Sequence, residues 1–83
     1  MKITAETEKL VESLKRAGLD REAMNLSSSL EGASTGTELM LNVRHALGQL
    51  PVSRMNSEML KKRDEIVAFI ESTVQGIALG PRN

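Results

Sequence analysis

The stretch Ser34–Leu50, with the sequence STGTELMLNVRHALGQL, carries the apolar pattern on which the predicted fold depends. At about 100° per residue, one side of a helix over these residues gathers most of its apolar side chains: Leu39, Met40, Val43, Ala46, Leu47 and Leu50. Leu41 points roughly the opposite way. A helix that is apolar on nearly all sides usually has neighbours on more than one flank, so we expect this helix to be central in a helical bundle.

The ends of this helix are marked by local sequence signals. Thr35 and Glu38 match the capping box, in which threonine is the N-cap residue and glutamate stands three residues later. Pro51 disfavours the helical conformation of the residue before it, so the helix is predicted to span residues 35–50.

The segment Gly32–Thr37 could alternatively bind phosphate, because glycine and hydroxyl residues open a helix N-terminus there. Gly36 is followed by threonine and glutamate instead of the Lys-Ser/Thr ending of a phosphate-binding loop, and Glu38 would repel an anion. We therefore favour a helix cap after a tight turn.

Periodicity predicts three further helices, over residues of about 4–17, 20–31 and 54–77. Thr4 and Asp20 are the predicted N-cap residues of the first two helices. Gly18 stands where a Schellman turn places its left-handed glycine, with Leu19 folding back on the helix that ends there. The last helix is predicted to begin between Ser53 and Ser57 and to be followed by a frayed tail, 79–83. No segment alternates with period two, so we predict an all-α bundle of three to four helices.

Composition is that of one small globular domain over residues 1–83, with 40% hydrophobic and 27% charged residues. Phe69 is the only aromatic residue, so the core must be aliphatic. A core of this size is marginally stable, which favours dimerisation. The formal net charge of zero provides no global field for nucleic acid or an anionic membrane. There is no cysteine, no secretion signal and no apolar run long enough to span a membrane, which indicates a cytoplasmic protein.

His45 is the only histidine and the first residue to test as a catalytic group. No aspartate or glutamate lies three or four residues away to orient it, and there is no cysteine for it to activate. We interpret His45 as a surface or partner-facing residue, and we predict no catalytic residue, no metal site, no cofactor and no small-molecule substrate.

Arg63 and Phe69 are the unusual members of the last helix. Arg63 falls within its apolar stripe, where an arginine must extend to solvent, face a partner, or pair with an acid such as Glu6. Phe69 lies at the edge of the same stripe and either broadens the core or anchors an interface. Together with Leu41, Arg44 and His45, these residues form the candidate partner interface.

Two classes of function are weaker alternatives to protein binding. An enzyme is disfavoured, since the chain has no paired carboxylates, no activated nucleophile and no cofactor motif. A DNA-binding regulator could use the helices 20–31 and 35–50 as a helix-turn-helix. The helix 35–50 would then face the DNA groove mainly with leucines, and only Arg44 and His45 could contact phosphates or bases.

The runs LKRAGLDREA (14–23), LEGASTGTELM (30–40) and VRHALGQL (43–50) are similar to sequences of short uncharacterised bacterial all-helical proteins, some of which resemble immunity proteins that neutralise a toxin by binding it. The resemblance covers about residues 1–50, and GASTGTEL is its most specific part. It implies a bacterial binding protein and assigns no active residues. We therefore expect a small non-catalytic interaction module or accessory protein, immunity-, antitoxin- or adaptor-like, that binds a protein partner or forms a homodimer.

Overall fold

The computed structural model describes residues 1–79, and the side chains among them up to residue 75. The chain forms four α-helices: α1 (Ile3–Arg16), α2 (Asp20–Ser28), α3 (Gly36–Gly48) and α4 (Ser57–Leu79), with a short 3-10 helix at Val52–Arg54. No strand occurs in this described part, and the predicted all-α bundle is confirmed. Apart from Leu79, the predicted frayed tail 79–83 lies outside the described residues.

Each helix packs mainly against two others, so the four helices close a ring. Helix α1 packs against α2 and α4, and α3 packs against α4 and, over a smaller area, against α2. The core between them is aliphatic and includes the fully buried Leu14, Leu26, Val43, Leu47 and Ile66. As predicted, α3 has neighbours on two flanks. Every helix of the ring has neighbours on two flanks, so α3 is no more central than the others.

The predicted Schellman turn joins α1 to α2. The Leu19 N–H donates to the Leu14 carbonyl over 2.9 Å and the Gly18 N–H donates to the Lys15 carbonyl over 3.0 Å. Gly18 has φ +79°, the left-handed conformation that this motif requires. Leu14 and Leu19 are both buried in the same core.

The predicted N-caps of α1 and α2 are wrong. Lys2 occupies the N-cap of α1 and Leu19 that of α2, in neither case with a side-chain cap. Helix α1 begins before Thr4 because Ile3 packs against the core. Leu19 closes the Schellman turn and is at the same time the N-cap of α2, which leaves no position for Asp20 outside the helix.

Two helix ends also differ from prediction. Helix α2 ends at Ser28, not near residue 31, because the N–H groups of Leu30 and Glu31 bond to carbonyls three residues back. Helix α3 ends at Gly48 for the same reason, as Gln49 and Leu50 bond to carbonyls three residues earlier. These bonds tighten the chain into turns that continue the direction of the helix without its α geometry.

Helix α4 begins at Ser57, within the predicted interval. Asn56 caps it: the Met59 N–H donates to Asn56 Oδ1 over 2.8 Å, and the Leu60 N–H donates to the Asn56 carbonyl over 3.0 Å. The 3-10 turn before it was not predicted.

The two glycines Gly18 and Gly48 provide a stability test, since a Cβ on either would meet no atom within 4 Å. Gly48→Ala is expected to raise the free energy of unfolding by about 0.5–1 kcal/mol, because Gly48 is helical and alanine loses less backbone entropy there. Gly18→Ala is expected to lower it by about 1–2 kcal/mol, because an alanine with φ near +79° is strained. Urea unfolding measures the free energy of unfolding of each variant. Equal changes of the same sign in the two variants would contradict the turn geometry.

Thr7 is the buried polar residue of α1. Its side chain is fully buried, and its Oγ1 has no hydrogen-bond partner among the described residues. Since valine has nearly the same shape and carries no hydroxyl to desolvate, Thr7→Val is expected to raise the free energy of unfolding by about 1 kcal/mol. Thr7→Ser, which keeps the hydroxyl and removes the methyl group, is the control and should destabilise. Loss of stability in Thr7→Val would mean that the hydroxyl has a partner.

Candidate functional site

The outward side of α3 carries an exposed leucine and few charged residues. Leu41 keeps 49% of its surface exposed on the side of the helix opposite Val43 and Leu47, which are fully buried. Arg44 and His45 follow one turn later and are also exposed. We call Leu41, Arg44 and His45 the α3 face. The structure therefore brings three of the five candidate interface residues together.

Arg44 is held by an acid on another helix. Its Nε and Nη2 donate to Glu71 Oε2 over 3.0 and 2.6 Å, joining α3 to α4 across the surface. Both side chains are about half exposed, so this ion pair remains accessible next to Leu41. Sequence reasoning missed Glu71, because residues 27 positions apart on different helices share no local signal.

His45 is exposed, as predicted, and makes no ion pair with an acid among the described residues. The polar contact of its ring is with Gln49, whose Nε2 lies 3.3 Å from His45 Nε2. An imidazole with only an amide neighbour at the surface has neither the orienting carboxylate nor the burial that general acid–base residues commonly use. His45 can donate or accept a hydrogen bond to a partner molecule.

Arg63 and Phe69, on α4, make contacts different from those of the α3 face. Arg63 donates to Asp64, the next residue, over 3.0 and 2.7 Å, and about a quarter of its side chain is exposed. Glu6, which the sequence analysis named as one possible mate of Arg63, pairs with a different residue. Lys62, one residue earlier, bonds to Glu6 over 2.5 Å, because its position on the helix turns it toward α1.

Phe69 is partly buried and packs against the core. It follows Lys62 by seven residues, or two helical turns, and so lies on the flank of α4 that faces α1. Glu71, which pairs with Arg44 of α3, lies on the other flank of α4, the one that contacts α3. Phe69 thus broadens the core, on the flank of α4 opposite the one that contacts α3.

Glu6 is bound by two lysines at the seam between α1 and α4. Lys62 donates to Glu6 Oε1 and Lys9 donates to Oε2 over 3.0 Å. These hydrogen bonds, chiefly that from Lys62, lower the pKa of Glu6, and the bond to Glu6 raises the pKa of Lys62. The network ties two helices together at the surface.

The sign of the two pKa shifts predicts how the seam responds to pH. A lowered pKa of Glu6 contributes stability that is complete above the pKa of the unfolded chain and is lost as the pH falls through the folded value. The raised pKa of Lys62 contributes stability below about pH 10 that is lost at more alkaline pH. Glu6→Gln should therefore flatten the acid side of the stability profile, measured as the urea midpoint between about pH 3 and 6. Glu8→Gln, on the exposed side of α1, is the control, and an unchanged acid slope in Glu6→Gln would contradict the assignment.

The entrance of α3 is a helix cap. Thr35 Oγ1 accepts the Glu38 N–H over 3.1 Å, as the capping box predicts. The Glu38 carboxylate accepts the N–H of Ser34 over 3.3 Å, one residue before the N-cap. Glu38 places its own negative charge at this helix end, where a phosphate would have to bind.

The connection between α2 and α3 bears on the DNA-binding alternative. It covers residues 29–35, seven positions between Ser28 and Gly36, and includes Gly32 with φ +79°. A helix-turn-helix joins its helices by a turn of about three to four residues. This geometry does not favour the helix-turn-helix reading.

The described residues also bear on metal binding and on membrane spanning. Among the described residues, no group of three His, Asp or Glu side chains is placed to hold a metal ion. None of the helices, as far as they are described, is long and apolar enough to cross a membrane. The groove between α1 and the start of α4, lined by residues such as Lys9, Glu58 and Met59, is open and mainly polar.

The bundle and its α3 face define a small all-α protein with an uncovered leucine beside an interhelical ion pair. No protein-family model, curated protein or solved structure matches this chain.

Proposed function

We propose that this chain is a small non-catalytic protein-interaction module, immunity-, antitoxin- or adaptor-like, and that it binds its partner through the α3 face. The observation that carries this proposal is the half-exposed Leu41 on a helix whose opposite side is already buried in the core. The composition of the chain and the resemblance of residues 1–50 favour a place in the bacterial cytoplasm.

The composition of the exposed positions distinguishes α3 from α1. Exposed positions of α1 carry Glu8, Lys9, Glu12, Lys15 and Arg16, as is usual for a helix face in contact with water. Exposed positions of α3 carry two charged residues, Glu38 and Arg44, and Glu71 neutralises Arg44. The centres of protein interfaces are depleted of charge and enriched in arginine, a composition that the α3 face shares.

Exposure of an apolar side chain alone does not support a contact surface. Met24 on α2 is 69% exposed, more than Leu41, and single exposed apolar residues are normal on protein surfaces. Three charged residues, Lys15, Asp20 and Glu31, and two serines lie around Met24, whereas the charged group beside Leu41, Arg44, is neutralised by Glu71. Met24 is therefore the matched control for Leu41.

Site-specific photo-cross-linking in the native cell tests the proposal. A photoreactive phenylalanine analogue at position 41 should give a discrete covalent adduct, identified by mass spectrometry, and the same analogue at position 24 should give none. The absence of an adduct at position 41, or the same adducts at both positions, would overturn the proposal.

A further inference from the structure

We infer that the partner of the α3 face is a second copy of this chain, related to the first by a two-fold axis that lies in the interface beside the Arg44–Glu71 pair. This inference rests on the proposed function and commits it to one occupant. Three properties of the described surface support it: the charge of the chain, the arrangement of charge on the face, and the size of the face.

The charge of the chain permits self-association. Eleven basic and eleven acidic residues give a formal net charge of zero, so two copies do not repel each other at long range. Proteins with a net charge near zero lose the electrostatic barrier that otherwise keeps copies apart. A partner of strong charge would instead find no complementary field on this chain.

The Arg44–Glu71 pair is self-complementary under a two-fold rotation. In an isologous interface, the residue that contacts a second residue across the axis is contacted by its equivalent in return. An axis that lies in the interface plane, passes midway between Arg44 and Glu71 and is perpendicular to the line joining them places the arginine of each copy opposite the glutamate of the other. The four groups then alternate in sign, and each keeps its bond within the chain, where Arg44 Nη2 lies 2.6 Å from Glu71 Oε2.

The face is large enough for a small, reversible interface. Helix α3 has 13 residues and is about 20 Å long, and with the adjoining part of α4 it presents a face about 20 Å wide. Leu41 lies one turn from Arg44 and would be buried beside the charge network. A face of this size is at the small end of specific interfaces, so the dimer should form reversibly with increasing concentration.

Charge-reversal variants mixed in pairs test this inference. Arg44→Glu leaves two negative groups on the face and Glu71→Arg leaves two positive groups, so each variant alone should repel its own copies. Sedimentation velocity from about 10 μM to about 1 mM should show the wild type associating and each variant associating about tenfold more weakly. A one-to-one mixture of the two variants should recover association to at least the wild-type level, and added salt should weaken it. Thermal unfolding monitored by circular dichroism confirms that both variants are folded.

Two outcomes would overturn the inference. One is a wild type that stays monomeric over this range, and the other is a mixture that associates no better than its separate components. If the wild type is monomeric while position 41 still cross-links to a different protein in the cell, self-association fails and the proposed function stands. If position 41 gives no adduct and the wild type is monomeric, both fail.

Discussion

Leu47→Ala is expected to lower the free energy of unfolding by about 2–5 kcal/mol, the largest effect that truncation of a side chain to alanine should have in α3. Leu47 is fully buried on the core side of α3, and its removal leaves a cavity among helices that cannot close around it. The total free energy of unfolding of a domain of this size is about 5 kcal/mol or little more. The variant should therefore be largely unfolded near 37 °C.

Leu41→Ala is the matched control, since it makes the same substitution in the same helix. Because Leu41 is about half exposed and faces away from the core, its truncation should change the free energy of unfolding by no more than about 0.5 kcal/mol. Urea unfolding followed by circular dichroism measures both variants. Equal losses of stability would mean that Leu41 belongs to the core and that α3 has no free apolar side.

Leu41→Lys is expected to weaken self-association by roughly 10- to 100-fold while the chain stays folded. Full burial of a leucine contributes about 1.5–3 kcal/mol, and about half of this remains available because half of Leu41 is already covered. Because the two-fold axis places one Leu41 from each copy in the interface, this burial free energy is lost twice. The free energy of dimerisation therefore weakens by about 1.5–3 kcal/mol.

Met24→Lys is the control for this prediction, because it places the same lysine at a more exposed apolar position on α2. Sedimentation equilibrium gives the dissociation constants of the wild type and both variants. The prediction would fail if the two lysine substitutions had the same effect, or if Leu41→Lys associated as the wild type does.

The helices could be predicted because their signals are local. Apolar periodicity indicated four helices, and the Gly18 turn and the Thr35–Glu38 cap were predicted from residues within one or two turns of each other. The caps at Thr4 and Asp20 were wrong because side-chain propensity competes with packing. The burial of Ile3 and Leu19 determines where those two helices begin. Capping rules consider only neighbouring residues and do not take this burial into account.

The site could be predicted only in part, since its pairs join distant segments. Sequence periodicity placed Leu41 and His45 on the outward side of α3, and the structure places them there. It could not identify Glu71 as the partner of Arg44, or Lys62 as the partner of Glu6, because the residues of these pairs are 27 and 56 positions apart. Arg63 and Phe69 were grouped with Leu41 because phase within one helix does not show which neighbouring helix covers each flank.

The most direct measurement of the central claim is the change in backbone amide chemical shifts of isotope-labelled wild type between about 20 μM and about 1 mM. If the outward side of α3 is the contact surface, the amides of Leu41, Arg44 and His45 should shift with concentration, together with that of Glu71 on α4. The amide of Met24 should not shift. Shifts confined to α2, or spectra that are identical at both concentrations, would contradict the claim that copies of this chain meet through α3.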